Sequence, residues 1–395
     1  MDETTRLSTN ERHLLFSYLL FVLAQPIFST FTNTFLWRHS HDPVELAVYN
    51  IGMYAGVPLG FLLAAKLLRR WGYKRLFFLG SVLQGVVPLV ITLYRPSSFP
   101  TVALLGVFFG IPMGLYWANR NLITLRATEG RHRLSFLSVE SAQNITAGIV
   151  APFFIGLFLE SHAANIGLAY VALMAAGLVM LLVAGAFVAT TDVDPMFQRI
   201  ATLAVPNPSV RWKRQRWLEF VGGVQTVNES VLSLLVILTF LGLEASVGTT
   251  KSGVAVLAAA AMFLVGKKIP ERLYGRVFAV AFGLIGGSSA LFALGYDAPT
   301  ALVFFVAFGI VASFRQVVAM SVMFRTVDAE VSRTDGNRFL YLFDRESFLN
   351  FGRVCALVAF IICVTVAPTE TLRYGLLVTS LLHVPLWYLV RKLQD

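Results

Sequence analysis

Residues 128–144 read TEGRHRLSFLSVESAQN, and residues 334–350 read TDGNRFLYLFDRESFLN. A shift of 206 positions superposes them without a gap. Thr128, Gly130, Leu134, Glu140, Ser141 and Asn144 meet Thr334, Gly336, Leu340, Glu346, Ser347 and Asn350, and Glu129 meets Asp335. Six identities in 17 positions mark an internal repeat rather than coincidence. The same shift carries the first apolar stretch onto the seventh, and the basic loop at 66–75 onto a basic loop near 272–281. The chain is therefore two copies of one unit, and what each copy contains decides the fold.

Each copy holds six apolar stretches. They fall near 14–36, 46–66, 76–94, 101–125, 135–159, 165–189, 218–241, 251–266, 277–296, 300–324, 340–366 and 373–390. A helix needs about 20 apolar residues to cross about 30 Å of hydrocarbon, so these predict twelve membrane-spanning helices, numbered here as spans 1 to 12. An even number per copy keeps both copies in the same orientation, the parallel arrangement of alternating-access transporters. The longest connection, 190–217, carries Pro195, Pro206 and Pro208 and the basic run Arg211, Lys213, Arg214 and Arg216. It divides the chain into an N-terminal half (1–189), a linker and a C-terminal half (218–395).

Composition agrees. A 395-residue chain that is 56% hydrophobic and 14% charged, with 33 Phe and a mean hydropathy of +0.70, has too much apolar surface for soluble domains to hide. Of its 32 Lys and Arg, 24 fall at the termini and in the alternate loops they share a side with, four in the opposite loops, and four (Arg120, Arg315, Arg345, Arg353) within spans. By the positive-inside rule both termini and the 190–217 linker are cytoplasmic, in a multi-pass protein of the plasma (inner) membrane. The net charge of +10 is thereby explained without a nucleic-acid partner. The basic run with Trp212 and Trp217 reads as a membrane-facing anchor. The polar N-terminus and long first apolar stretch predict an uncleaved first span. Cys355 and Cys363 lie eight apart on one span, about 12 Å at helical rise, which excludes a disulfide.

The segment Arg70-Trp71-Gly72-Tyr73-Lys74-Arg75, between spans 2 and 3, resembles the end of the loop signature of the major facilitator superfamily, G-x-x-x-D-[RK]-x-G-x-[RK]-[RK]. Ala65 stands where that family has Gly and Arg69 where it has Asp. On span 5, Gly148, Ala151-Pro152 and Gly156 resemble the Gly-rich run of the family's antiporter motif; the same small residues also suit close helix packing. The resemblance, to bacterial transporters of this type, implies a central cavity lined by spans 1, 4, 7 and 10.

No phosphate loop, Cys/His metal spacing or Ser/His/Asp set points to an enzyme, a cofactor or a metal. His39, His41 and Asp42 read as a solvated loop, and His383 as a packed helix residue. Ionisable groups in hydrocarbon are costly and need a partner or a wet cavity. Four arginines, Arg120, Arg315, Arg345 and Arg353, stand against Glu140, Glu229, Asp344 and Glu346, which predicts pairing. On the implied cavity helices, Arg120, Tyr116, Gln25, Glu229, Asn228, Arg315 and Gln316, with Arg353 on span 11, are the candidate substrate and proton groups. Gln25, Ser29 and Thr32 share one helical face by i, i+4, i+7 spacing, which suits interhelical bonding as well as substrate. Glu229 and Arg315, near mid-membrane, compose a proton-responsive pair. Nearer the inner ends, Glu140 and Glu346, with Asn144 and Asn350 one turn deeper, compose an inner gate with Arg70 or Arg75 in one half and Arg276 in the other; Asp344 and Arg345 lie beside them.

The expected function is secondary active transport of a small solute, anionic or zwitterionic, by a monomer using alternating access and coupled to protons, with export by antiport preferred. The alternatives are proton–solute symport for uptake and translocation of a lipid or amphiphile. The topology is directly testable: in a chain without Cys355 and Cys363, single cysteines at positions 40 and 207 should label from opposite sides of the membrane. Labelling of both by an impermeant reagent from one side would overturn the assignment.

Overall fold

The structure, a computed structural model, describes residues 7–96, 98–127, 132–191, 205–265, 274–334 and 337–394. Among these residues every regular element is a helix: α1 (Thr9–Pro26), α2 (Thr32–Ser40), α3 (Pro43–Tyr94), α4 (Phe99–Ala127), α5 (His132–Ser161), α6 (Ile166–Ala189), α7 (Val210–Val227), α8 (Ser233–Phe240), α9 (Glu244–Val265), α10 (Tyr274–Gly295), α11 (Ala298–Thr334), α12 (Arg338–Val366), α13 (Pro368–Ser380) and α14 (His383–Gln394). The chain divides into two compact units, Met1–Arg199 and Ile200–Asp395. Nine helical stretches of the described residues are long and apolar enough to cross a membrane. One of them, α3, turns back at Gly72, whose φ of 72° and ψ of 162° suit only glycine. Its two arms are counted there as one stretch, and two shorter apolar helices, Ala279–Gly295 and Ala298–Val311, lie outside the nine.

Local sequence sets the helix starts. Ser8 and Glu11 form a reciprocal capping box on α1. Asp42 accepts from Val44 N at 2.7 Å with Pro43 in the first turn of α3, and Asn337 accepts from Phe339 N at 2.9 Å on α12. Asp297, fully exposed ahead of α11, accepts from the amide and hydroxyl of Thr300, and these bonds hold its carboxyl below the usual range.

Spans 1 and 7 are not uniform helices. π turns occupy Ile27–Phe31 after Pro26, and Asn228–Leu232. Each π turn holds an additional residue, so the spacing that put Gln25, Ser29 and Thr32 on one face fails. Gln25 is exposed, whereas Thr32 is wholly buried, its hydroxyl reaching back five residues to the Ile27 carbonyl.

Backbone contact through glycine fixes two helix pairs. In the first unit Gly52, Gly56 and Gly60 of α3 face Gly106, Gly110 and Gly114 of α4, all at four-residue spacing. A Cβ at Gly56 would lie 2.6 Å from the Val107 carbonyl oxygen, and one at Gly60 would lie 2.8 Å from the Gly114 Cα. In the second unit Gly223 of α7 and Gly352 of α12 make a similar close contact, where a Cβ would come 3.1 Å from Arg353 N and 3.0 Å from the Phe220 carbonyl carbon. Within a bilayer, where lipid competes equally for apolar surface, such close approach supplies the packing attraction that holds helices together.

The anchor reading of the 211–217 run is corrected. The helix begins at Val210, so these residues form the first two turns of α7. Trp212 is completely buried and donates Nε1–H to Asp344 at 2.8 Å. Arg211 and Arg214 donate to the carbonyls of Leu393 and Lys392, both at 3.1 Å, at the end of α14, where a helix leaves its last carbonyls unsatisfied. Trp217, at 61%, keeps the expected exposure, as do Arg211, Lys213 and Arg214.

Substitution of the α3–α4 seam should be severe. Gly110→Val should cost about 3 kcal/mol or more through forced helix separation, read as loss of folded, detergent-stable protein. Gly253→Ala, where nothing lies within 4 Å of the added carbon, should leave the melting temperature unchanged.

Candidate functional site

In the first unit the polar centre is Arg120 on α4. Its guanidinium carbon lies 4.5 Å from the ring centre of Tyr18 on α1 and 4.9 Å from that of Trp117, one turn back on its own helix. The guanidinium pairs with Glu140 of α5. Phe21 stacks on Tyr116 with ring centres 3.7 Å apart, closing the apolar side, and the Tyr18 hydroxyl bonds Thr124 at 2.9 Å. Two rings and a carboxylate thus replace the hydration shell of the cation. Arg120 Nε and the Tyr116 hydroxyl are buried without a hydrogen bond of good geometry among the described residues. A guanidinium has five donors, and this one has donor capacity to spare.

The second unit holds a longer polar seam along α7 and α12. Arg216 grips Asp344 with two bonds, Nε–Oδ2 at 2.7 Å and Nη2–Oδ1 at 2.8 Å, over the face of Phe348. One turn deeper, Arg345 bridges Glu219 of α7 at 3.0 Å and Glu346 at 2.6 Å, and Gln215 adds a bond to Glu219 at 2.9 Å. Asn350 donates to the Glu346 carbonyl at 2.8 Å and accepts from Arg353 at 3.0 Å. Farther along the fold, Arg315 of α11 donates to Gln225 of α7, whose amide nitrogen lies against His383 at the start of α14. At the end of α11, Glu330 accepts from Ser209 and from Arg333.

The pairing that the charge balance predicts is present, with different partners. Glu140 pairs with Arg120 and not with Arg70 or Arg75, which are exposed; Glu346 pairs with Arg345 and not with Arg276, also exposed. A carboxylate on a span is met more readily by a guanidinium already within the spans than by one on a loop that water already solvates. Asn144 is exposed, whereas its repeat partner Asn350 is buried. Arg315 has Gln225 as a partner; the side chains of Glu229, Asn228 and Gln316 lie outside the described residues, and the expected Glu229–Arg315 pair with them. Sequence reasoning passed over Tyr18, Arg216, Glu219 and Gln225. For Glu219 the signal was positional: Gln215 and Glu219 stand four apart, on one helical face at the start of span 7. The seam glycines were equally visible as two runs at four-residue spacing.

The sequence profile of the family described as Major Facilitator Superfamily matches residues 14–334. The uncharacterized protein YqgE of Bacillus subtilis (strain 168) is 23% identical over 395 residues, covering 95% of this chain and 87% of its own. Among solved structures, the nucleoside transporter NupG superposes with a TM-score of 0.70 at 11% identity, covering 98% of this chain and all of its own. A D-xylose-proton symporter superposes with a TM-score of 0.70 at 14% identity, covering 97% of this chain and 96% of its own.

The α7–α12 seam makes a stability prediction of its own. Arg345→Met leaves Glu219 and Glu346 without their shared cation and should cost roughly 3–5 kcal/mol. Adding Glu219→Gln and Glu346→Gln should recover most of it, measured as thermal unfolding in detergent.

Proposed function

The chain belongs to the Major Facilitator Superfamily, and on that premise we propose that it carries a small solute with an anionic group across the membrane by alternating access, coupled to protons. The observation that supports this most is the setting of Arg120. A purely structural cation would be expected to use its donors fully. Here the guanidinium lies against Tyr18 and Trp117, pairs with one carboxylate and retains a buried donor, with the Tyr116 hydroxyl beside it on the same helix. A solute carboxylate or phosphate can take the place of Glu140 on such a guanidinium, while the rings hold its apolar part. Glu140 is then an internal stand-in for the solute, released when the solute binds. The exposed Arg70, Arg75 and Arg276, with Asn144, suit contacts of the inner gate.

The proton belongs to the second half in this reading, with Glu229 as carrier and Arg315 as the cation that modulates it. Direction follows from how proton and solute share the site. If they compete, the inward proton gradient drives export, which the small-residue patch Gly148, Ala151-Pro152 and Gly156 supports. If they bind together it drives uptake, and the likeness to a D-xylose-proton symporter favours that alternative. The charge distribution supports cytoplasmic termini and a plasma-membrane location.

Transport by the full chain in proteoliposomes tests the proposal. A pH step of about one unit is worth about 1.4 kcal/mol per proton. Radiolabelled carboxylates, phosphate esters, sugars and nucleosides are offered under that step. One of the anionic solutes should be moved against its gradient, the accumulation should collapse with a protonophore, and Arg120→Gln should lose roughly tenfold or more in affinity. Equilibration without accumulation rules out coupling, and undiminished affinity in Arg120→Gln removes Arg120 from the site.

A further inference from the structure

Span 12 is broken. α13 ends at Ser380 and α14 begins at His383, with two tight turns between: Leu381 N bonds the Val378 carbonyl and Val384 N bonds the Leu381 carbonyl, 3.2 and 3.1 Å. In an unbroken helix Val384 N would take the Ser380 carbonyl. That carbonyl is instead met by a side chain, His383 Nδ1, at 2.9 Å. Both His383 and Gln225 are almost completely buried, 1% and 2% exposed.

The Ser380 carbonyl favours one tautomer. A carbonyl only accepts, so Nδ1 carries the proton. The Gln225 amide nitrogen lies 2.8 Å from Nδ1 and 2.9 Å from Nε2; with Nδ1 committed to the carbonyl, Nε2 is the ring nitrogen able to accept from it. With its nitrogen committed, Gln225 turns its oxygen to Arg315, which donates to it. Four groups from four helices, Ser380, His383, Gln225 and Arg315, thus form one hydrogen-bonded chain.

The geometry points to His383 as a proton-binding residue of this transporter, with Gln225 as the amide switch that passes its charge state to Arg315. Protonation of Nε2 turns an acceptor into a donor, facing the donor it has just been accepting from. The conflict is relieved when the Gln225 amide turns over, giving its oxygen to the imidazolium. Its nitrogen then faces Arg315, donor against donor, and Arg315 is released toward an anionic partner. Proton uptake and anion capture thus favour each other, the condition for the two to travel together. This rests on the proposed proton coupling and deepens it.

The groups around the relay are few. Arg315 comes from α11, and Gln225 from α7, with Glu229 one turn farther along that span. α10 packs on α14 and carries its described charge, Arg276, exposed near its start; the charges of α13, Glu370 and Arg373, lie in its first turns, and α14 bears Arg391 and Lys392 at its far end. Glu229 is therefore the comparison residue.

The test needs no transported solute. Hydrogen–deuterium exchange of the full chain in lipid nanodiscs is measured near pH 5 and near pH 8, across the histidine range, and corrected for the intrinsic pH dependence of amide exchange. Segments 218–236 and 376–388 should exchange roughly tenfold faster at the acid value. Glu229→Gln should retain the difference in segment 376–388. His383→Gln, whose amide can accept from Gln225 and donate to Ser380 at either pH, should show the alkaline pattern at both. Gln225→Met should abolish the response of the α11 segment 308–322 while His383 still titrates. An acid response that persists unchanged in His383→Gln, or that is absent from the unmodified chain, overturns the inference. The broader proposal fails by a different measurement: the unmodified chain would show no accumulation driven by a pH gradient. Coupled transport beside a pH-insensitive relay would assign the proton to Glu229 alone.

Discussion

A guanidinium in hydrocarbon must be answered, because neither water nor lipid will do it. Much of the arrangement of these helices can be read as the set of answers. Arg120 draws together α1, α4 and α5 through a ring and a carboxylate; Arg216 and Arg345 bind α12 to α7; Arg315 ties α11 to α7 and, through one amide, to α14. Removing a cation from such a site exposes the penalty of the partner it leaves behind, so the pairs specify which helices meet more than they add to net stability. The glycine seams perform the complementary task, bringing backbones together where no charge is involved.

The spans were legible because their signal is one-dimensional: a run of apolar residues of bilayer length needs no knowledge of neighbours. The halves were legible because a repeat can be found by sliding the chain along itself. Partners were not, since a residue on α4 meets one on α5 through a crossing angle that no spacing encodes. Glu140 and Glu346 could be recognised as needing a cation, yet the expected loop arginines lost to Arg120 and Arg345, which were already inside. The face assigned to Gln25, Ser29 and Thr32 failed for another reason: a π turn after Pro26 changes the period within the span. Trp212 looked like an interfacial anchor because Trp beside Arg usually is one, and only the position of Asp344 shows otherwise.

The repeat also shows how two copies diverge while retaining one requirement. The carboxylates at 140 and 346 occupy equivalent positions, and each has a guanidinium. In the second copy it comes from the adjacent residue, Arg345, whose counterpart in the first is Val139. The first copy recruits Arg120 from the preceding span, where the second has Thr326. Likewise Arg353, which holds Asn350, corresponds to Ala147, and Asn144 is exposed. One copy thus keeps its charge compact beneath aromatic rings. The other spreads it along a helix seam.

The π turns carry a consequence for how the sequence can change. Each one is a residue in excess of what the α-helical ladder requires, stored within spans 1 and 7 at Ile27–Phe31 and Asn228–Leu232. A helix elsewhere has no slack: losing one residue rotates everything beyond it by about 100° and shortens the span by about 1.5 Å. At these two places a deletion can be absorbed by reverting the wide turn to an ordinary one. In a lineage of such chains, spans 1 and 7 are where length variation inside the membrane can accumulate without a compensating change in a loop.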